Sequence, residues 1–193
     1  MTELEDLCAG LGCGDDDRAE RAALRLAQLG RPALPAVRAL LQAQDPDLRW
    51  WAVRALAGFE METGVTPELL MALGDGSDEV RQAAAMAFCQ HPDPRAAAAL
   101  ARALSDPDQM TARLASNALS LLGKQATPVL LDVLQNGSRA ASLEAVRALA
   151  EVKDPCAIPA LMKALETDSA LMQYWAGLGL DSLGLGMLYL NPK

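Results

Sequence analysis

Aromatic residues make up only 4% of the 193-residue sequence. Valine, isoleucine and threonine, the β-branched residues that favour strands, are also few. The hydrophobic fraction of 51% is instead carried mainly by alanine and leucine, which cost the least free energy to place in a helix. The shortage of strand-forming residues argues against a sheet, and the composition predicts an all-α protein large enough for one domain with its own core.

Positive charge is scarce as well. The sequence has 17 lysines and arginines against 25 acidic residues, a net charge of −8, and no two basic residues are adjacent. Nucleic-acid binding and adhesion to anionic lipid both rely on clustered positive charge. We therefore expect no nucleic-acid partner and no membrane partner.

Long apolar runs and paired cysteines are missing too. No stretch approaches the roughly 18 apolar residues of a membrane-spanning helix, and the acidic start is unlike a secretory signal peptide. The four cysteines, at positions 8, 13, 89 and 156, have no short zinc-site spacing. These observations predict a cytoplasmic protein with reduced thiols.

Histidine is nearly absent, since His91 is the only one. It lies in a proline-flanked turn, where a metal site with Cys89 would have too few ligands. The sequence contains no phosphate-binding loop, no dinucleotide fingerprint and no nucleophile elbow. We expect no catalytic residues, no metal and no cofactor.

What the sequence does contain is a repeat. An alanine, two further residues and a small-plus-large apolar pair return along the chain, and successive pairs are 32, 31, 30 and 31 residues apart. The pairs are Ala55-Leu56, Ala87-Phe88, Ala118-Leu119, Ala148-Leu149 and Gly179-Leu180. Arg25-Leu26 stands 30 residues before the first, with arginine in place of the small residue. A fixed period of this length is typical of stacked structural repeats.

A second apolar phrase lies between the copies of the first. It consists of Val37 and Leu41, Leu69 and Leu73, Leu100 and Leu104, Leu130 and Leu134, and Leu161 and Leu165. Both phrases have the i, i+3 or i+4 spacing of amphipathic helices. Each repeat is therefore predicted to contain two helices, named A for the first phrase and B for the second.

Turn and capping residues fall between these helices. Four prolines, Pro67, Pro94, Pro128 and Pro155, fall at or near the starts of B helices, where a missing N–H costs nothing. Asp47, Asp78 and Ser138 stand at the starts of A helices, where a side-chain oxygen can satisfy free backbone donors. Capping and turn formation thus account for much of the acidic charge.

The fifth repeat reads VRALAEVKDPCAIPALMKAL over residues 146–165, and residues 78–87 read DEVRQAAAMA. Both resemble HEAT-like repeats of the phycobilisome-lyase (PBS-lyase) type. The resemblance covers about residues 17 to 184. It implies a right-handed α-α superhelix, a HEAT-like solenoid of about five to six helical hairpins with the B helices lining a concave groove.

The whole chain is predicted to form a single repeat domain, 1–193. Residues 1–14 would form an N-terminal cap helix, 17–168 the repeats, and 169–193 a C-terminal half repeat and cap. The apolar tail from Gly184 to Leu190 would either fold back as a cap or associate with another chain, because exposed apolar patches are association sites.

One row of B-helix residues is the candidate partner-binding site. Each member follows a buried valine or leucine by one or two positions and so turns partly toward the groove. An apolar floor would consist of Leu70, Met71, Leu131 and Met162. A charged rim would consist of Arg38, Arg102, Asp132 and Lys163. Apolar centres with polar rims are typical of protein interfaces, although the same residues could instead pack against neighbouring B helices.

Two aromatic pairs occupy equivalent places on A helices, Trp50-Trp51 and Tyr174-Trp175. One member of each pair is expected in the core. Trp50 and Tyr174 are candidate anchors for a partner, since tryptophan and tyrosine dominate interface hot spots.

The leading functional hypothesis is a non-catalytic scaffold or adaptor that binds a protein or peptide. The alternative is a bilin (phycobilin) lyase subunit or a chaperone of chromophore attachment, which the repeat type resembles. In that case Arg38, Arg54 or Arg147 could pair with the propionates of a tetrapyrrole.

Overall fold

The computed structural model describes residues 2–59 and 64–185. The chain forms two compact units, residues 1–91 and 92–193. The described residues of both units contain helices and no strand, which confirms the prediction of an all-α protein. The apolar tail singled out in the sequence lies, from Gly186 onward, outside the described residues.

Unit 1 contains six α-helices in its described residues. They are α1 (Glu3–Leu11), α2 (Asp16–Leu29), α3 (Leu34–Leu40), α4 (Pro46–Ala57), α5 (Thr66–Ala72) and α6 (Asp78–Gln90). Here α2, α4 and α6 are the predicted A helices, α3 and α5 are the shorter B helices, and α1 is the predicted N-terminal cap helix.

Unit 2 contains a further six in its described residues. They are α7 (Ala97–Ala103), α8 (Gln109–Leu121), α9 (Thr127–Asn136), α10 (Arg139–Val152), α11 (Ile158–Leu165) and α12 (Ala170–Ser182). The A helices are α8, α10 and α12, and the B helices are α7, α9 and α11.

The A helices begin where side-chain oxygens cap their free amides, except α6, whose N-cap Ser77 makes no side-chain capping hydrogen bond. Asp108 caps α8 by accepting from the Thr111 amide, and Ser138 caps α10. Thr2 begins α1 with a reciprocal capping box, in which its hydroxyl accepts from the Glu5 amide and the Glu5 carboxylate accepts from its own amide. Of the three residues predicted to cap A helices, Ser138 is an N-cap, whereas Asp47 and Asp78 lie in the first turns of α4 and α6 and are not.

The B helices begin differently, with a proline in the first turn or directly after a 3-10 turn. Two such turns in unit 2 are Pro94–Ala96 and Pro155–Ala157, each ending in a fully buried alanine. The buried Asp154 carboxylate accepts from the Cys156 amide and, at 2.7 Å, from the hydroxyl of Thr127 at the start of α9. The Thr127 hydrogen bond is the main cause that lowers the pKa of Asp154. This interaction links the starts of two successive B helices.

Successive A helices pack directly on one another. In unit 1, α4 contacts both α2 and α6, and in unit 2, α10 contacts both α8 and α12. The repeated alanine-containing phrase forms this contact and is buried in every copy from Ala52 to Leu180. The periodic signal in the sequence is therefore the core of the stack.

In α12 the small residue of the phrase is required, because the preceding A helix, α10, approaches closely at Gly179. A Cβ atom added to Gly179 of α12 would lie 3.0 Å from the Ala150 Cα and 2.9 Å from a Leu161 methyl carbon. The exception is Arg25 of α2, whose side chain is exposed and binds the Glu3 carboxylate of α1 at 2.9 Å. The position tolerates arginine because α2 follows the cap helix, where the guanidinium can point outward.

Each B helix packs against the A helix that follows it. In unit 1, α3 contacts α4 and α5 contacts α6, and in unit 2, α11 contacts α12. The first residue of the B phrase is always buried: Val37, Leu69, Leu100, Leu130 and Leu161 are at most 1% exposed. The opposite side of each B helix is left available at the surface.

An ion pair fastens the loops of unit 1. The Arg49 guanidinium of α4 donates to both carboxylate oxygens of Asp75 at 2.8 Å and to the carbonyls of Ala43 and Gln44. Asp75 also accepts from the amide of Ser77, which precedes α6. The loops that follow α3 and α5 are thus held to α4. The hydrogen bonds from Arg49 lower the pKa of the Asp75 carboxyl.

We predict opposite effects for two glycine substitutions in α12. Gly179→Ala should lower the free energy of unfolding by about 1–3 kcal/mol, because the Ala150 backbone cannot move aside easily. Gly177→Ala should raise it by up to about 1 kcal/mol, because no atom lies within 4 Å of the added Cβ and alanine favours a helix. Urea denaturation followed by circular dichroism measures both, and equal effects would contradict the packing described.

We predict that Asp75→Asn destabilises the protein by about 2 kcal/mol at neutral pH, since charge-assisted hydrogen bonds are lost. The pKa of Asp75 is lower in the folded state than in the unfolded state. Its contribution to stability is therefore fully present above the unfolded pKa, which is about 3.9. It is lost as the pH falls through the folded pKa. Denaturation between pH 8 and pH 3 should show the difference between variant and wild type shrinking below about pH 4. Exposed Asp168→Asn is the control with little effect at neutral pH.

Candidate functional site

The exposed sides of the B helices form two separate surfaces, here called the unit 1 B face (α3 and α5) and the unit 2 B face (α7, α9 and α11). They hold eight of the ten residues proposed for partner binding. The other two, Trp50 and Tyr174, lie on A helices.

On the unit 1 B face, Arg38 is already paired. Its Nε donates to Glu68 of α5 at 2.6 Å, although the arginine side chain is 47% exposed. Met71 is 60% exposed and lines a cavity of about 210 Å³ at the ends of α3 and α5, whereas Leu70 is half-buried. Met71 is therefore the accessible apolar residue of the row in this unit.

On the unit 2 B face, two grooves flank α9. The first lies between α7 and α9, has a volume of about 360 Å³, and contains the side chains of Arg102 and Asp132. The second lies between α9, α11 and the first turn of α12, has a volume of about 380 Å³, and contains Leu131 and Lys163. The structure thus brings four of the row residues together in pairs.

The predicted apolar floor is only partly accessible. Leu70, Leu131 and Met162 are half-buried, so each shares its surface between a neighbouring helix and the B face. Met162 does not line either of the two grooves that flank α9. The sequence could not predict which of these residues are accessible, because the row has the same helical spacing in every repeat.

The α9–α11 groove contains residues that were not singled out from the sequence. Its additional apolar walls are Leu134, Pro159, Ala160, Ala164 and Met172, and its polar residues include Gln135, Cys156 and Thr167. Met172 belongs to an A helix, so the contribution of α12 to a B-face groove has no signal in the repeat pattern.

The charged groups of the unit 2 B face differ in their partners. The Asp132 carboxylate accepts from the Asn136 side chain at 2.8 Å. The guanidinium of Arg102 and the ammonium of Lys163 are exposed and make no ion pair or hydrogen bond to any described residue. These two cations are available to an external group.

Trp50 lies elsewhere, in an acidic cavity of about 460 Å³ between α2 and α4. The Trp50 and Trp51 rings meet edge to face at 4.7 Å, and four carboxylates line the same cavity: Asp16, Asp17, Glu20 and Asp47. Glu20 accepts from Arg54 of α4 at 2.6 Å. The sequence interpretation assigned acidic residues at helix starts to capping, but Asp15 and Asp45 are the actual N-caps of α2 and α4.

The second aromatic pair lies on α12. Tyr174 is 58% exposed, and its ring meets that of Trp175 at 5.3 Å. The Arg147 guanidinium lies over the Trp175 ring, 5.5 Å from its centroid, and donates to Asn117 and Glu144. Arg147 therefore connects three successive A helices.

The expectation that one aromatic of each pair is in the core is wrong. Trp50, Trp51 and Trp175 are half-buried, and Tyr174 is exposed. The physical reason is size. The alanine-sized positions in the contact between A helices leave no room for an indole ring, and leucine or phenylalanine fills its large positions.

The described residues offer little for bond-making chemistry. They contain no group of three or more histidine, cysteine or acidic side chains that could hold a metal ion. Burial raises the pKa of the Cys8 and Cys89 thiols, which disfavours their reactive thiolate forms. No helix in the described part of the chain has the length and apolar character needed to cross a bilayer.

Comparison with known protein families matches most of the chain. The model for HEAT repeats matches residues 4–74 and 66–143, and the model for the PBS lyase HEAT-like repeat matches residues 143–167. No curated protein matches the chain.

Several solved structures have a similar fold. A designed armadillo repeat protein in complex with the peptide (KR)4 is 21% identical, with 94% of this chain and 100% of that chain covered and a TM-score of 0.57. The complex of CpcE and CpcF of phycocyanin lyase from Nostoc sp. PCC7120 is 23% identical, with coverages of 95% and 78% and a TM-score of 0.54. The Escherichia coli protein YibA is 17% identical, with coverages of 97% and 72% and a TM-score of 0.59. These likenesses confirm the predicted fold class, a helical repeat solenoid of the HEAT and armadillo type.

Proposed function

Because the chain belongs to the HEAT-repeat family, we propose that it is a non-catalytic scaffold or adaptor that holds a protein or peptide partner on its B faces. A stack of helical hairpins buries one side of each B helix and leaves the other side for contacts with other molecules. The partner is held by the B face of each unit, through the residues predicted for it.

The observation that carries the proposal is the pair of grooves beside α9. One groove has apolar walls around Leu131, and the other contains Arg102 and Asp132. Adjacent apolar and charged recesses suit a peptide, because the apolar recess supplies buried area and the charged one supplies orientation. Met71 provides a similar, smaller recess on the unit 1 B face.

The likeness to a designed armadillo protein in complex with a peptide supports the proposal at the level of the fold. That designed stack is in complex with the peptide (KR)4. The walls beside α9 suit such packing, since they combine aliphatic side chains with exposed charged groups. In this proposal the partner binds because it fits those grooves.

A role in bilin attachment is the second candidate. It is favoured by the PBS lyase HEAT-like repeat at residues 143–167 and by the likeness to the phycocyanin lyase complex. The arginines expected to meet the propionates are engaged within the protein, however: Arg38 with Glu68, Arg54 with Glu20, and Arg147 with Glu144. A tetrapyrrole would have to displace these carboxylates. An unchanged visible spectrum when a free bilin is mixed with the protein would remove this candidate.

We predict that a photo-crosslinking residue placed on a B face will trap the partner in cells that make the protein. The informative positions are Gln135, beside the α9–α11 groove, and Met71 on the unit 1 B face. Each has a matched position on an A helix of the same unit, Leu121 and Met86, which are 56% and 44% exposed. Mass spectrometry of the adducts should find one partner from the B-face positions and none from the A-helix positions.

The accompanying variant is Leu131→Asp, which places a charge in the apolar groove. It should lower the adduct yield from Gln135 at least about tenfold, which corresponds to a loss of roughly 1.4 kcal/mol of binding free energy. Helicity and melting temperature should change little, because Leu131 is only half-buried. Adducts from the A-helix positions alone, or from no position, would contradict the proposed function.

A further inference from the structure

The α9–α11 groove has the size and walls of a side-chain pocket. Its volume of about 380 Å³ lies within the range of ligand pockets, roughly 300–1,000 Å³. Leu131, Leu134, Pro159 and Met172 supply most of the apolar wall. Burying an aliphatic side chain here removes apolar surface of both molecules from water, which favours binding.

Lys163 gives this groove a positive rim. Its ammonium has no described partner, whereas the arginines of unit 2 near other carboxylates are paired: Arg95 with Asp93, and Arg113 and Arg147 with Glu144. An unpaired cation beside an apolar recess attracts a carboxylate, and the resulting charge-assisted hydrogen bond is stronger than a neutral one.

Arg102 repeats this arrangement two B helices away. Arg102 and Lys163 hold the same position in their repeats, and Asp132 between them is hydrogen-bonded to Asn136. At about 8–10 Å between neighbouring helices, the two cations are roughly 16–20 Å apart. An extended peptide covers that distance in about five or six residues, at roughly 3.3 Å per residue.

The net charge of −8 does not oppose this local preference strongly. Exposed charges farther away than about 8–10 Å are largely screened at physiological ionic strength. The groups that act on a bound peptide are therefore those at the groove, where Arg102 and Lys163 outnumber Asp132.

We infer that the unit 2 B face binds an acidic, aliphatic peptide segment of its partner protein. The segment places a leucine-sized side chain in the α9–α11 groove, one carboxylate beside Lys163 and a second carboxylate beside Arg102. This inference rests on the proposed function and adds the chemistry of the partner.

The test uses three synthetic fluorescein-labelled hexapeptides and the full chain, with fluorescence anisotropy as the measurement. The acidic probe is Glu-Ser-Ser-Leu-Leu-Glu, the basic probe replaces both glutamates with lysine, and the polar probe replaces both leucines with serine. We predict that the acidic probe binds at least about tenfold more tightly than either of the others.

Two variants with the same charge change provide the control. Lys163→Glu should weaken binding of the acidic probe at least about tenfold and strengthen binding of the basic probe. Arg139→Glu should change the binding of neither probe, because Arg139 is an exposed cation without a described partner at the start of α10 and lines neither groove.

Equal binding of the acidic and basic probes, an unaffected Lys163→Glu variant, or no binding of the acidic probe would overturn the inference. Such a result together with partner adducts at Gln135 would leave the proposed scaffold role standing with a different partner chemistry. Absence of both peptide binding and B-face adducts would remove the scaffold role itself.

Discussion

The close approach of successive A helices is the constraint on which this structure depends. The contact is possible because the copies from Ala55-Leu56 to Gly179-Leu180 pair a buried alanine or glycine with one large buried apolar side chain. At Gly179 the approach of α10 leaves no room for an added Cβ. Close packing of this kind tolerates little change in volume. Dispersion contacts and apolar burial therefore accumulate along a row of small residues instead of around a central cluster of aromatic rings.

The same constraint determines which surfaces remain for function. The apolar faces of the A helices pack on one another, and one side of each short B helix packs on the A helix that follows it. Among the described residues, the other side of the B helices has half-buried leucines and exposed charges. In unit 2 this produces the two grooves beside α9. In unit 1, Trp50 and Trp51 line a separate acidic cavity on the A helices.

Much of the fold could be predicted from the sequence because the core itself is periodic. The phrase from Ala145 to Leu149 recurs every thirty-odd residues, and every copy from Ala52 onward is buried. The site was less predictable, because its features depend on which neighbour a side chain meets. Three of these features depend on contacts between different helices: the pairing of Arg38 with Glu68, the place of Met172 in the α9–α11 groove, and the lack of a partner for Lys163 among the described residues. The prediction that one aromatic of each pair is in the core was wrong for a related reason. The hydrophobicity of these residues predicts burial, but the alanine-sized positions of the contact exclude them.

Native-state hydrogen exchange tests the central claim most directly, because it reports the stability of each helix separately. If stacking of the A helices holds the protein together, the slowest-exchanging amides of each unit should lie in α4 and α10, which are covered by A helices on both sides. The amides of the short helices α3, α5, α7 and α11 should exchange faster. Slower exchange in these B helices than in α4 and α10 would contradict the account.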